Sequence, residues 1–266
     1  ILMLELKKSL GQNLLVDKNI VDKISSLDSI KDKIVFEIGP GTGNLTESIL
    51  KKNPKKILLI EKDKRFCEIL SKKFNLRKNQ DIFNEDILEF NFNLNINVEV
   101  IFGNLPYNIS TQILAKFIKL DKWPPSFKKI IFMFQKEVAD RILAKPNTKD
   151  YGRITVLSNF RLDVINDFKI SKKCFFPIPN VDSKVIVFKP KLKIDYKIKD
   201  IKSLEKITQI IFSGRRKMIN KAFSKLFKDY KKTSEFLNID LKKRPSELLC
   251  EDYYKIAEHY EKSIGL

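Results

Sequence analysis

The chain has 266 residues, 43% hydrophobic and 32% charged, which supplies a real core and excludes a disordered chain or a fibre. Its 52 Lys and Arg against 33 Asp and Glu give a formal net charge of +19, a field that attracts polyanions, nucleic acid first and an acidic membrane surface second. Three scattered cysteines exclude a disulfide framework or a zinc site and point to a reducing cytoplasm, while a single histidine, His259, argues against serine-triad and His-metal chemistry.

In chain order, the first residue is Ile rather than Met, so an upstream start is expected. Apolar runs are only a few residues long, so neither a bilayer span nor a signal peptide is expected. Between about residues 33 and 136, short β-branched runs alternate with longer helical ones. Strands are predicted at 34–38, 57–61, 81–83, 98–102 and 130–134, with helices near 43–52, 64–74, 111–120 and 136–144. This alternation predicts an α/β fold with a mostly parallel, doubly wound sheet. Apolar runs at 154–160 and 185–188 bracket a turn-rich stretch and are read as an antiparallel edge of that sheet.

Beyond residue 188 the character changes. Residues 189–232 hold 15 Lys/Arg against four acids, while 233–266 hold five against seven, and both halves read as helical. A boundary near residue 190 therefore divides a sheet domain (1–190) from a small, basic, all-helical domain (191–266), with the lysine-rich stretch 189–199 as linker.

The strand at 34–38 runs into Gly39-Pro40-Gly41-Thr42-Gly43, which opens a helix. Glycines there permit a tight turn and let a ligand approach the backbone closely. A dinucleotide fingerprint needs glycine where this chain has Asn44. The G-x-G-x-G loop with Glu37 before it instead resembles the first motif of class I S-adenosylmethionine methyltransferases, although a ligand-free strand-to-helix turn would look the same. Two acids sharpen the reading. Glu61 ends the second strand, 22 residues after Gly39. That is close to the ~20-residue spacing at which a carboxylate accepts hydrogen bonds from both ribose hydroxyls. Asp86 follows the third strand, where it can accept from an adenine amine. Each alone reads as a solvated loop residue; together they favour a nucleoside-bearing cofactor.

Asn104-Leu105-Pro106-Tyr107 follows the fourth strand. An adenine exocyclic amine is a poor nucleophile because its lone pair is delocalised into the ring. The Asn104 amide oxygen and the Leu105 carbonyl, accepting from its two N–H bonds, favour a pyramidal nitrogen and expose that lone pair, while Pro106 stiffens the turn. Tyr107 offers a ring for an extruded base. The plain alternative is a Pro turn with one buried aromatic.

Seven segments carry a specific likeness: KSLGQNLL at 8–15, FEIGPGTGNLT at 36–46, GNLPYNIST at 103–111, FQKEVADRI at 134–142, YGRIT at 151–155, CFFPIPNVDS at 174–183 and FSGRRKMINKAF at 212–223. In this order, over almost the whole chain, they resemble the KsgA family of small-subunit rRNA adenine dimethyltransferases. The resemblance implies a Rossmann-like class I methyltransferase fold with a helical, rRNA-binding C-terminal domain, S-adenosylmethionine as cofactor and no metal. It further implies an enzyme that dimethylates N6 of two adjacent adenosines near the 3′ end of small-subunit rRNA, within a ribosomal particle; a monomer is expected, the sequence leaving the oligomeric state open.

It also implies roles. Asn13 and Leu15 close over the cofactor, Gly39 and Gly41 form the first motif, Glu61 takes the ribose and Asp86 the adenine ring. Asn104 is the catalytic asparagine, and Phe175 stacks on the target base opposite Tyr107, unless the adjoining Phe176 takes that role. Arg215, Arg216, Lys217 and Lys221 are read as a helix that binds phosphate, a solvated helix face being the ordinary alternative. Two rivals share many of these features: a large-subunit rRNA methylase conferring macrolide resistance, and a non-catalytic RNA-binding assembly or transcription factor. The CFFPIPNVDS and 215–217 segments weigh against the first. The intact Asn104, Tyr107, Glu61 and Asp86 weigh against the second. A DNA adenine methylase is a weaker rival.

Overall fold

The computed structural model describes residues 13–76, 81–92 and 97–266; the start of the KSLGQNLL segment, at 8–12, lies outside them. Two compact units divide the chain: Ile1–Lys116 with Pro125–Ala139 and Val164–Pro190, and Phe117–Pro124 with Asp140–Asp163 and Lys191–Leu266. The chain thus changes unit at residue 190, but two earlier stretches that the sequence reading assigned to the sheet domain group with the C-terminal residues.

The first unit is built on β2 (Ile34–Ile38), β3 (Lys56–Ile60), β4 (Ile82–Phe83), β5 (Val100–Asn104), β6 (Lys129–Gln135), β7 (Leu162–Ile170) and β9 (Ser183–Pro190). Among the described residues these form a seven-stranded sheet in the order β4-β3-β2-β5-β6-β9-β7. The pairings from β4 through β6 are parallel, and β9 runs antiparallel to β6. Strands β2, β3, β5 and β6 are buried almost throughout, which is why they read as continuous apolar runs instead of alternating ones. Helices α1 (Lys18–Ser25), α2 (Asn44–Leu50), α3 (Lys64–Phe74), α4 (Ser110–Ile118) and α5 (Lys136–Ile142) connect them. Local chemistry sets their ends. Asp17 caps α1 by accepting from the Asn19 and Ile20 N–H groups, and Asp63 caps α3 by accepting from Arg65. A separate two-stranded ribbon pairs β1 (Leu14–Leu15) antiparallel with β8 (Phe175–Phe176).

The predicted antiparallel edge needs a correction. Residues 154–160 are not a strand but most of helix α6 (Arg153–Arg161), and the outermost strand is β7, just after it. The misreading has a physical cause. Helix α6 is buried on most sides, so its apolar residues show no helical stripe, whereas β7 is exposed at 163–167 and carries Asp163, Asn166 and Asp167. Arg161 ends α6; its guanidinium donates to the Ile118 and Leu120 carbonyls, both at 2.7 Å, and lies over Trp123 at 4.8 Å.

The second unit adds α7 (Ile201–Phe212), α8 (Asn220–Leu226), α9 (Tyr230–Leu237) and α10 (Cys250–Ser263) to α6. Leu204, Ile207 and Ile211 line one face of α7 and meet Tyr253, Ile256 and Tyr260 of α10 in one core. The stretch expected as a linker has neither helix nor strand from 191 to 200, yet Ile194, Tyr196 and Ile198 pack against that core. It is an ordered edge of the helical unit. Among the described residues no helix is long and apolar enough to cross a membrane.

Candidate active site

Parallel strands present their C-terminal ends to one edge of the sheet, and a cleft opens there beyond β2, β3 and β5. Asn13, Leu15, Gly39, Gly41, Glu61, Asp86, Asn104 and Leu105 all line it. Residues 91 apart in sequence are thus brought to one site by the sheet.

The glycine loop is shaped by contact as well as by its turn. Gly39 and Gly41 have φ of +65° and +56°, the left-handed region where a side chain is strained. A Cβ on Gly41 would stand 2.8 Å from Leu14 Cδ2, so the loop lies directly against the β1 segment. That segment is pinned at both ends. Asn44 Nδ2 donates to the Leu15 carbonyl at 2.7 Å, and Asn104 Nδ2 donates to the Asn13 carbonyl at 3.0 Å. A carbonyl can only accept, so the second bond fixes the Asn104 amide with Oδ1 left for another donor.

Glu61 is held by backbone. Its Oε2 accepts from Gly41 N–H at 3.2 Å and its Oε1 from Asp63 N–H at 2.9 Å. Burial pushes its carboxyl up, against the pull of these N–H groups. A carboxylate offers about four acceptor positions, so acceptor capacity remains beside these N–H groups for a ribose hydroxyl. Asp86, like Glu61, is half-buried. Leu88 N–H donates to its Oδ1 at 2.9 Å and Lys62 Nζ to its Oδ2 at 2.7 Å. Desolvation pushes the Asp86 carboxyl up, but Lys62, the Leu88 N–H and the charge of Lys116 outweigh it and hold the group below the usual range. Lys62 was not anticipated from the sequence, where it reads as one surface lysine among many.

Tyr107 lies outside the cleft lining, with its hydroxyl 2.7 Å from Ser183 Oγ on β9. Burial pushes its phenol up, opposed by that bond. The two neighbouring phenylalanines part company. Phe175 is 2% exposed, pairs with Leu15 and belongs to the core of the first unit, whereas Phe176 is 64% exposed. The expectation that Phe175 presents a stacking face does not fit this burial; the accessible ring is Phe176.

The basic cluster of the second unit also differs from expectation. Arg215, Arg216 and Lys217 lie in the turn between α7 and α8, and of the four only Lys221 is helical, so they share no helix face. Arg215 Nη2 donates to the Lys149 and Tyr151 carbonyls, which ties this side chain down. Arg216, Lys217 and Lys221 are exposed. Ile219 N–H donates to the Lys243 carbonyl at 2.9 Å and so brings the exposed Lys242, Lys243 and Arg244 beside the turn. Their place in the mildly acidic C-terminal half hid them from the sequence reading.

A family model described as "Ribosomal RNA adenine dimethylase" matches residues 3–262 of this chain. The "Ribosomal RNA small subunit methyltransferase A" of Pelagibacter ubique (strain HTCC1062) is 45% identical over 256 residues, 96% of this chain and 97% of that protein. Among solved structures, a dimethyladenosine transferase from Plasmodium falciparum matches with a TM-score of 0.75 at 27% identity, covering 94% of this chain and 98% of that one. The 23S rRNA methyltransferase ErmE matches with a TM-score of 0.66 at 19% identity, covering 93% and 99%, a likeness of fold alone.

Proposed function

The chain belongs to the ribosomal RNA adenine dimethylase family and has its Rossmann-like class I methyltransferase fold, and on that premise we propose that it transfers methyl groups from S-adenosylmethionine to N6 of two adjacent adenosines near the 3′ end of small-subunit rRNA. The product is N6,N6-dimethyladenosine at each. The observation that carries this reading is the convergence of Glu61, Asp86 and the oriented Asn104 amide on one cleft.

The residues present suit the cofactor. Gly39 and Gly41 hold the left-handed turn that carries the loop backbone along the cleft, Glu61 retains acceptor capacity for a diol, and Asp86 is an ionised acceptor for an amine. Bound there between Gly39, Glu61, Asp86 and Asn104, S-adenosylmethionine would supply an electrophilic methyl for N6, with the sulfur keeping the electron pair of the broken bond and the displaced N6 proton passing to solvent. The protein's part is placement. Asn104 Oδ1 and the Leu105 carbonyl accept from the target amine, Tyr107, anchored on Ser183, supplies one ring for the target base, and the exposed ring of Phe176 supplies another. The exposed basic residues at 216–221 and 242–244 hold rRNA phosphates, as their charge and exposure favour.

The 45% identity to a small-subunit methyltransferase over nearly the whole chain supports the small subunit as substrate over the large. Incubation with labelled S-adenosylmethionine and separated ribosomal subunits lacking the modification tests the reading. Label on small-subunit rRNA is expected. Label confined to large-subunit rRNA would favour the resistance-type methylase, and none on either a non-catalytic factor.

A further inference from the structure

One buried acid on the cleft wall has no part in the scheme above. Glu37 is 1% exposed, lies on β2 one residue before its end, and lines the same cleft as Gly39 and Glu61. Thr46 of α2 donates to its Oε2 at 2.7 Å, and among the described residues no lysine or arginine forms an ion pair with it. A buried carboxylate without a cation takes up a proton instead of staying charged. Burial pushes the Glu37 carboxyl up to about 8, the Thr46 hydroxyl opposes this, and the charge of Glu61 adds to it.

Its position in the sheet says what could neutralise it. Glu37 is in register with Leu59 of β3 on one side and Phe102 of β5 on the other. Glu61, one residue past the end of β3, and Asn104, the last residue of β5, lie two residues beyond those partners. Glu37 therefore stands one rung below the gap between the acid proposed for ribose and the asparagine proposed for the target amine. The other ionisable groups around this part of the cleft bring no free positive charge. Glu61 acts on it from just past the end of β3, Glu85 on the same cleft is a further acid, Asp63 is paired with Arg65, Lys62 is paired with Asp86, and the Cys67 thiol of α3 is pushed up to about 11 by burial and stays neutral. Asn104 and Asn13 are uncharged.

We propose that Glu37 is the counter-charge for the cofactor's sulfonium, protonated when the cleft is empty or holds the thioether product and ionised when a cation lies between Glu61 and Asn104. This rests on the proposed use of S-adenosylmethionine. The donor and its demethylated product share every other charged group and differ by one methyl and one positive charge. A carboxyl that ionises only against that charge lets the cleft hold the donor and release the product. The proton leaves Glu37 for the buffer as the donor binds.

Calorimetric titration of the full chain with S-adenosylmethionine and with S-adenosylhomocysteine, near pH 7 in buffers of different ionisation enthalpy, tests this. Close to one proton should be released per S-adenosylmethionine bound, and far fewer per S-adenosylhomocysteine. Donor affinity should rise about tenfold per pH unit between roughly pH 6 and 8 and then level, because binding requires loss of a proton held below that pH. Product affinity should stay flat. Glu37→Gln should keep product affinity, weaken donor binding about tenfold or more at pH 8, and abolish the proton release. Equal proton release with both ligands, or release that persists in Glu37→Gln, would overturn the assignment. Should that variant fail to fold, the comparison of the two ligands on the unaltered chain decides alone. Failure of both ligands to bind would instead defeat the cofactor reading itself.

Discussion

Asn104 shows how a single side chain acquires a direction. Its Nδ2 is committed to a carbonyl 91 residues away, so the oxygen is the atom presented to a substrate amine. Asn104→Ala should lower single-turnover methylation by ~10²-fold or more, the scale for one preorganised polar contact. Asn104→Asp should do nearly as badly, because a carboxylate cannot donate to the Asn13 carbonyl. Glu61→Ala and Asp86→Ala should each weaken S-adenosylmethionine binding by ~1–3 kcal/mol, measured by titration. Glu37→Gln carries a stability signature as well. In the ligand-free protein the native state keeps the Glu37 proton that the unfolded chain gives up in the ordinary carboxylate range, so this group's contribution falls as pH rises towards about 8. The variant's stability relative to the native chain should therefore grow across that window and then level, as pH-dependent thermal unfolding would record. Spacing along the sequence placed Glu61, Asp86 and Asn104, because strand ends of a parallel sheet converge whatever the details. It could not choose between Phe175 and Phe176, since neighbours in a strand face opposite ways and the ribbon with β1 decides which is buried. Phe175→Ala should lose ~3–5 kcal/mol of stability, while Phe176→Ala should leave the melting temperature unchanged and slow methylation.

At the scale of elements, legibility followed burial pattern. The strands of the parallel sheet were readable because both faces are covered, whereas α6 hid its period by being buried nearly all round, and β7 hid its strand character by being exposed. The 215–217 turn misled for another reason: a run of basic residues has high helix propensity, but the backbone there turns to bring Arg215 onto two carbonyls. That separates the cluster into two roles. Arg215→Ala should lower the stability of the helical unit by ~1 kcal/mol, as loss of hydrogen bonds from an exposed charged donor does. Arg216→Ala should leave stability within error and weaken RNA binding. Gly41→Ala tests the β1 segment, since the added methyl meets Leu14 at 2.8 Å from a backbone at φ +56°. Displacement of that segment should weaken cofactor binding even though alanine adds no polar group, and titration would detect it.

At the scale of the whole molecule, the charge of +19 has a use only if it is placed, and much of it lies in residues 189–232, which hold a net +11. Cutting the chain after Pro190 is a poor test of that placement. Helix α6 shares a core with α7 and α10, so the cut would expose Val156, Leu157 and Phe160. Reversal of the exposed Arg216, Lys217, Lys242 and Lys243 to Glu removes no buried contact, and should reduce rRNA affinity and flatten its dependence on salt while circular dichroism shows the fold retained. Mass spectrometry of digested RNA reads out methylation of particular adenosines site by site. Small-subunit particles lacking the modification, treated with S-adenosylmethionine and either the native chain or Asn104→Ala, should show two neighbouring N6,N6-dimethyladenosines near the 3′ end with the first and almost none with the second. Unmodified small-subunit RNA beside methylated large-subunit RNA, or full modification by Asn104→Ala, would contradict small-subunit adenosine dimethylation through Asn104.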